Sequence, residues 1–121
     1  SRTSGKSVFR YYYAHPRPPM KNPKPNSTPP KGAVHSAEIE YAMGNLPTNL
    51  VYAWTADDFK VSNVMQNFFA NFIKTGNPNG KNLPLWKSLT MKEPIYFMRI
   101  ESNSRSEVEK YRARYLFLDK F

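Results

Sequence analysis

Thr55-Ala56-Asp57-Asp58-Phe59-Lys60-Val61-Ser62-Asn63-Val64-Met65-Gln66-Asn67-Phe68-Phe69-Ala70-Asn71-Phe72-Ile73-Lys74-Thr75-Gly76 carries the strongest periodicity in the chain. Val61, Val64, Met65, Phe68, Phe69, Phe72 and Ile73 follow i, i+3, i+4, i+7, i+8, i+11 and i+12, which draws one wide apolar stripe along a helix. Thr55 or Asp57 can cap its start. Gly76 and the Asn77-Pro78-Asn79-Gly80 run end it in turn chemistry. Docking the large members of that stripe would contribute on the order of 10 kcal/mol at about 1.5–3 kcal/mol per side chain, before entropy is charged against it. The stripe is therefore read as core packing, and the rest of the chain as what packs against it.

Upstream, Val8-Phe9-Arg10-Tyr11-Tyr12-Tyr13-Ala14 is β-branched and aromatic and is closed by Pro16 and Pro18, so it reads as a strand. Its near-continuous apolarity predicts cover on both faces, as for an inner strand of a parallel or mixed sheet. Residues 15–32 form a proline-rich loop, in which missing backbone donors block both helix and sheet. Long loops of this kind tend to be functional. This one leads to Gly32-Ala33-Val34-His35-Ser36-Ala37-Glu38-Ile39-Glu40-Tyr41-Ala42-Met43-Gly44-Asn45-Leu46. A short helix is expected over Ser36–Gly44, with Ile39, Ala42 and Met43 on one side and Pro47 preventing continuation. Leu46, Leu50 and Val51 are expected to tuck against the body. Downstream, Pro94 to Ile100 reads as a second strand beside or near the first. Ser104 or Ser106 can cap a final helix with Val108, Tyr111, Tyr115 and Leu118 as its stripe.

His35 is the residue with chemical potential: a neutral imidazole accepts a proton near pH 7 and returns it later, as general base and then general acid. On spacing alone a lone histidine is more often structural. His15, at the end of the first strand, is read that way.

The histidine segment resembles the histidine motif of the type-B carboxylesterase and cholinesterase-like family of α/β-hydrolases, para-nitrobenzyl-esterase-like in character. In that motif Gly-x-x-His-x-x-Glu-Ile precedes an aromatic, a glycine and a leucine. His35, Glu38, Ile39, Tyr41, Gly44 and Leu46 fill the places. Trp54-Thr55, Asp58, Val61-Ser62, Met65, Phe69-Ala70, Phe72 and Lys74-Thr75-Gly76-Asn77-Pro78-Asn79 are similar to the family's long C-terminal helix and its ending. Leu83-Pro84-Leu85-Trp86 resembles the turn that follows, with proline two places before the tryptophan. The resemblance runs from about Val8 to Phe121.

The resemblance implies an α/β fold: the C-terminal fragment of an α/β-hydrolase, two or so strands packed with three helices. It implies a triad in the order serine, acid, histidine, of which this chain holds the last member, His35. Glu38 is assigned a helix-start role or a supporting role behind His35, since the family's triad acid comes from an earlier loop. No Gly-x-Ser-x-Gly elbow or glycine-rich oxyanion segment occurs here, so the isolated chain is expected to be inactive. Its partners are then a carboxylic-ester substrate and the missing N-terminal part of the same enzyme, with self-association expected from exposed edges and apolar surface. Two other functions compete: a non-catalytic adhesion or scaffold protein of the same fold, and a basic module binding anions or nucleic acid.

Composition narrows these. With 121 residues the chain can form one domain with a modest core. Residues 1–7 are expected to be disordered or tag-derived, and 8–121 to form the esterase portion. The net charge of +9 is uneven: residues 1–32 hold seven basic residues and no acid, whereas 33–121 hold eleven basic and nine acidic. Total charge is therefore weak evidence about partners; a basic module would use the 1–32 cluster, and no nucleic-acid partner is expected. Cysteine is absent, and the two histidines, His15 and His35, have no second histidine at ligand spacing, so neither metal nor cofactor is expected. No run is long and apolar enough to span a membrane. No signal pattern is visible, and the compartment stays open, secretion or a periplasm included.

Overall fold

In the computed structural model, residues 5–28, 30–90 and 92–120 are described. Three strands and three α-helices follow in the order β1 (Tyr11–Tyr13), α1 (Ile39–Met43), α2 (Ala56–Thr75), β2 (Tyr96–Ile100), β3 (Arg105–Val108) and α3 (Arg112–Leu118). The sheet order is β1-β2-β3, with β1 parallel to β2 and β3 antiparallel to β2. Tyr13 stands opposite Ile100 and Phe97 opposite Glu107. This is the expected α/β architecture, with one more strand than the two or so expected.

The alternation of strand side chains sorts the sheet into two faces. Tyr13, Met98 and Ile100 turn inward to meet Val61, Met65 and Phe68 of α2 and Tyr41 of α1. Tyr12 and Phe97 turn the other way and meet edge to face at 6.5 Å. Trp86 closes the inner face at the far end of the sheet: its ring contacts Phe9, Tyr11 and Phe68, and its indole N–H donates to the Arg10 carbonyl at 3.1 Å. Asn79 holds that tryptophan by its backbone, accepting from Trp86 N at 2.7 Å and donating to Trp86 O at 2.9 Å. The Asn77-Pro78-Asn79 turn therefore does more than end α2; it docks the next loop.

Thr55 is the cap of α2, in a reciprocal box with Asp58 rather than Asp57. The stripe of α2 is buried only in its front half. Val61, Met65 and Phe68 are fully enclosed, whereas Phe72 is half-exposed and Ile73 is 81% exposed. Length explains the difference: a 20-residue helix spans about 30 Å, and a five-residue strand only about 17 Å, so the last turns overhang the sheet.

Several expectations are corrected. β1 covers three residues, lies at the sheet edge and leaves Tyr12 57% exposed, so it is not an inner strand of this unit. α1 starts at Ile39 instead of Ser36 and turns Tyr41 inward, leaving Ile39 and Met43 in solvent. Leu46 is buried, but Leu50 and Val51 are exposed. The expected final helix begins too early: Val108 belongs to β3, and α3 buries none of its residues. Ser106-Glu107-Val108-Glu109 imitates a capping box, but Ser106 donates to the Leu85 carbonyl and Ser104 to that of Glu101. Pairing with β2 outweighs the local signal. Residues 1–4 of the segment expected to be unstructured lie outside the described residues.

The proline-rich loop is pinned in its first half. Lys21 N donates to Val51 O at 2.9 Å, Ala53 N to Pro19 O at 3.0 Å, and Met20 bridges Tyr52. Surface is plentiful: 8872 Å² is accessible, against about 6,700 Å² expected for a compact monomer of 14.0 kDa.

Candidate active site

His35 sits in a turn spanning 34–37, closed by Ala37 N donating to Val34 O at 3.1 Å. Ser36 adopts φ 62°, a left-handed conformation that a non-glycine residue holds only under constraint from its surroundings. The constraint is visible on the next residue: Ala37 is fully buried in the core cluster, while His35 is exposed. The imidazole makes no hydrogen bond among the described residues. A buried methyl thus anchors a turn whose imidazole faces out. Glu38 is half-buried at the start of α1 and makes no capping bond. It lies within electrostatic reach of the sheet, since burial and then the Glu38 charge push the Tyr11 hydroxyl above its ordinary value. His35 and Glu38 are neighbours in the turn but are not hydrogen-bonded to each other.

The second histidine has the opposite surroundings. His15 Nε2 lies 2.9 Å from Oδ1 of Asp58, a carboxylate only 1% exposed. Tyr41 Oη donates to the same oxygen at 2.6 Å, and Thr55 donates to Oδ2 through its backbone N at 2.7 Å and its hydroxyl at 2.6 Å. Burial by itself would raise the Asp58 carboxyl, but the bonds from Thr55, Tyr41 and His15 outweigh it and hold the group below its ordinary value. Four donors saturate the carboxylate, which removes the main cost of burying its charge. Burial pushes the Tyr41 hydroxyl well above its ordinary value, and the bond to Asp58 adds to this, so Tyr41 stays a donor.

Among the described residues no hydroxyl is bonded to the His15 ring. Ser62, the buried serine beside the His15–Asp58 pair, donates its hydroxyl to the Tyr41 carbonyl at 2.8 Å. No group of three or more His, Cys, Asp or Glu able to hold a metal occurs among the described residues. No helix among them is long and apolar enough to cross a membrane. A groove of about 530 Å³ lies between the outer face of the sheet and α3, lined by Arg10, Tyr12, Phe97, Arg99 and Tyr111 among others. Neither histidine lines it.

The sequence pointed to His35 and Glu38, and the structure puts both in one turn. It did not single out the Asp58 junction. The available signal was Thr55-x-x-Asp58, a capping box whose acid sits in the core and so has capacity for further donors.

Residues 1–117 match the carboxylesterase family. Among curated proteins, carboxylesterase 5A of Canis lupus familiaris is 32% identical over 84% of this chain and 18% of its own length. Esterase cest-33 of Caenorhabditis elegans is 30% identical over 96% of the chain and 21% of its own length. Among solved structures, the carboxylesterase EST55 of Geobacillus stearothermophilus superposes with a TM-score of 0.71 at 22% identity, covering 96% of this chain and 22% of that protein. A PNB esterase superposes at 0.69 and 21% identity, over 93% and 21% of the two chains. These likenesses show the α/β-hydrolase fold, of which the chain spans about a fifth of each relative's length. Fold, motif order and family match converge: this chain belongs to the carboxylesterase family.

Proposed function

We propose that the chain supplies the histidine of a serine carboxylic-ester hydrolase, with the nucleophile, the triad acid and the oxyanion donors provided by polypeptide that forms the rest of the enzyme. The observation that carries this reading is His35 itself: an exposed imidazole with no hydrogen bond among the described residues, at a turn anchored in the core by Ala37. In the complete site His35 takes the proton of the attacking serine as the serine oxygen bonds to the ester carbonyl, then delivers it to the departing alkoxide. Water repeats the cycle to release the acid. A carboxylate from the rest of the enzyme holds the second ring nitrogen. Glu38 supports the turn and is not the triad acid.

The surplus of accessible surface, roughly 2,000 Å² above a compact monomer, supports docking onto further polypeptide, since obligate interfaces are of that size. In the complete esterase, His35→Ala is expected to lower kcat/KM for a p-nitrophenyl ester by roughly 10³-fold or more, with the fold intact by circular dichroism. Unchanged turnover in that variant would remove His35 from the mechanism.

A further inference from the structure

We infer that Asp58, with Tyr41 and His15 bonded to it, is the positioning junction that sets where the His35 imidazole is presented. The inference rests on the proposed esterase role of His35. Because the His35 ring makes no hydrogen bond of its own among the described residues, its location is inherited from the backbone of the 34–37 turn. That turn runs directly into α1. The seat of α1 therefore decides where the ring lies.

α1 is too short to hold its own place, at five residues. It is held instead by bonds to other elements. Tyr41 reaches Asp58 at the cap of α2, and the same Asp58 oxygen receives His15 from the segment leaving β1. One carboxylate oxygen thus ties the strand end, the short helix and the long helix together. Two further ties lie on the same side: Arg17 pairs with Glu40 at 2.8 Å, and Asn49 donates to the other Glu40 oxygen. From behind, Ser62 holds the Tyr41 carbonyl. Asp58 is the member bonded to all three elements at once. Misplacement of a proton-transfer group by about 1 Å can cost 10²-fold in rate, so a buried carboxylate that never meets substrate can still govern turnover.

The test uses the complete esterase with active-site titration, so that rates are counted per competent site. Tyr41→Phe keeps the ring and removes only the bond to Asp58. It is expected to lower kcat about tenfold with KM within about twofold. Asp58→Asn turns an amide donor toward donors and is expected to do more. His15→Gln, which can still donate to Asp58, is expected to retain most of the kcat that His15→Ala loses. Phe68→Leu supplies the control for general loosening: it opens a cavity in the same helix ten residues beyond Asp58, against Trp86, and is expected to lower the melting temperature while kcat per site stays within twofold. Tyr41→Phe at wild-type kcat, or Phe68→Leu falling as far as Tyr41→Phe at equal stability loss, overturns the junction. If Asp58→Asn does not fold, Tyr41→Phe and the His15 pair decide the question. Loss of turnover in His35→Ala with Tyr41→Phe unaffected overturns this inference alone, whereas full turnover in His35→Ala overturns the esterase role.

Discussion

Under the proposed role of His35, the two histidines divide the labour between stability and chemistry. His15 is largely buried and spends its ring on Asp58; His35 is exposed and spends its ring on no hydrogen bond among the described residues. The difference follows from their neighbours. His15 follows a strand whose Tyr13 is in the core, and it meets a carboxylate already placed by a helix cap. His35 is set on a turn in which the residue two places on, Ala37, takes the buried position. A reactive imidazole needs an open nitrogen, and a structural one needs a satisfied nitrogen, so the pattern of satisfaction separates the roles better than residue type does.

The sharpest way to break this contrast is to remove the satisfaction. Asp58→Ala strands the Tyr41 hydroxyl, the His15 ring and two Thr55 donors around a buried hole. Removing one partner of a buried charged network is expected to cost about 3–5 kcal/mol. His35→Ala touches an exposed ring and is expected to stay within about 0.5 kcal/mol. Equilibrium urea denaturation of the two variants checks both values. Similar losses for the two would mean that His35 is also packed, and the division of labour would fail.

Acid provides the next test. The Asp58 carboxyl is held below its ordinary value near 3.8, so its folded pKa is lower than its unfolded one. Its contribution is fully present above about pH 4 and is lost as pH falls through the folded value. Stability measured between pH 5 and pH 2 is therefore expected to fall more steeply in the wild type than in Asp58→Asn. Parallel acid limbs would show that Asp58 is not the group being titrated.

How much of this was legible depended on whether the signal was local. The α2 stripe, its Thr55 cap and its Gly76 ending are written in consecutive spacings, and the helix forms over the residues those spacings delimit. The histidine turn was legible through motif order. β3 was not, because Arg105 and Glu107 alternate with Ser106 and Val108 in a strand that is mostly polar. Its stability comes from pairing with β2 and from the Arg105 contacts with Glu101 and Glu107. The Asp58 junction was hidden for the same reason: His15, Tyr41 and Asp58 are 43 and 17 residues apart in their bonded pairs, and no local pattern records a distance of that kind. The overhang of Phe72 and Ile73 was hidden too, since a stripe reports which face is apolar and not how far the opposing sheet extends.

The smallest expected effect refines the seat of α1 itself. Gly44 and Gly76 end α1 and α2 in the same left-handed conformation, at φ 69° and 74°. A methyl at Gly76 meets nothing within 4 Å, so Gly76→Ala is charged only the left-handed backbone, about 1 kcal/mol. A methyl at Gly44 would come within 2.3 Å of Gln66 Oε1. Gln66 is flexible and can swing aside, but it then gives up its bonds to the Ser62 carbonyl and hydroxyl. Ser62 is the residue that holds Tyr41 from behind. Gly44→Ala is therefore expected to cost about 0.5–1 kcal/mol more than Gly76→Ala, the worth of one such bond. Chemical denaturation of the paired variants measures the difference. An equal cost would show that Gln66 yields freely, leaving Asp58, on the other side of Tyr41, as the contact that matters for where α1 and His35 lie.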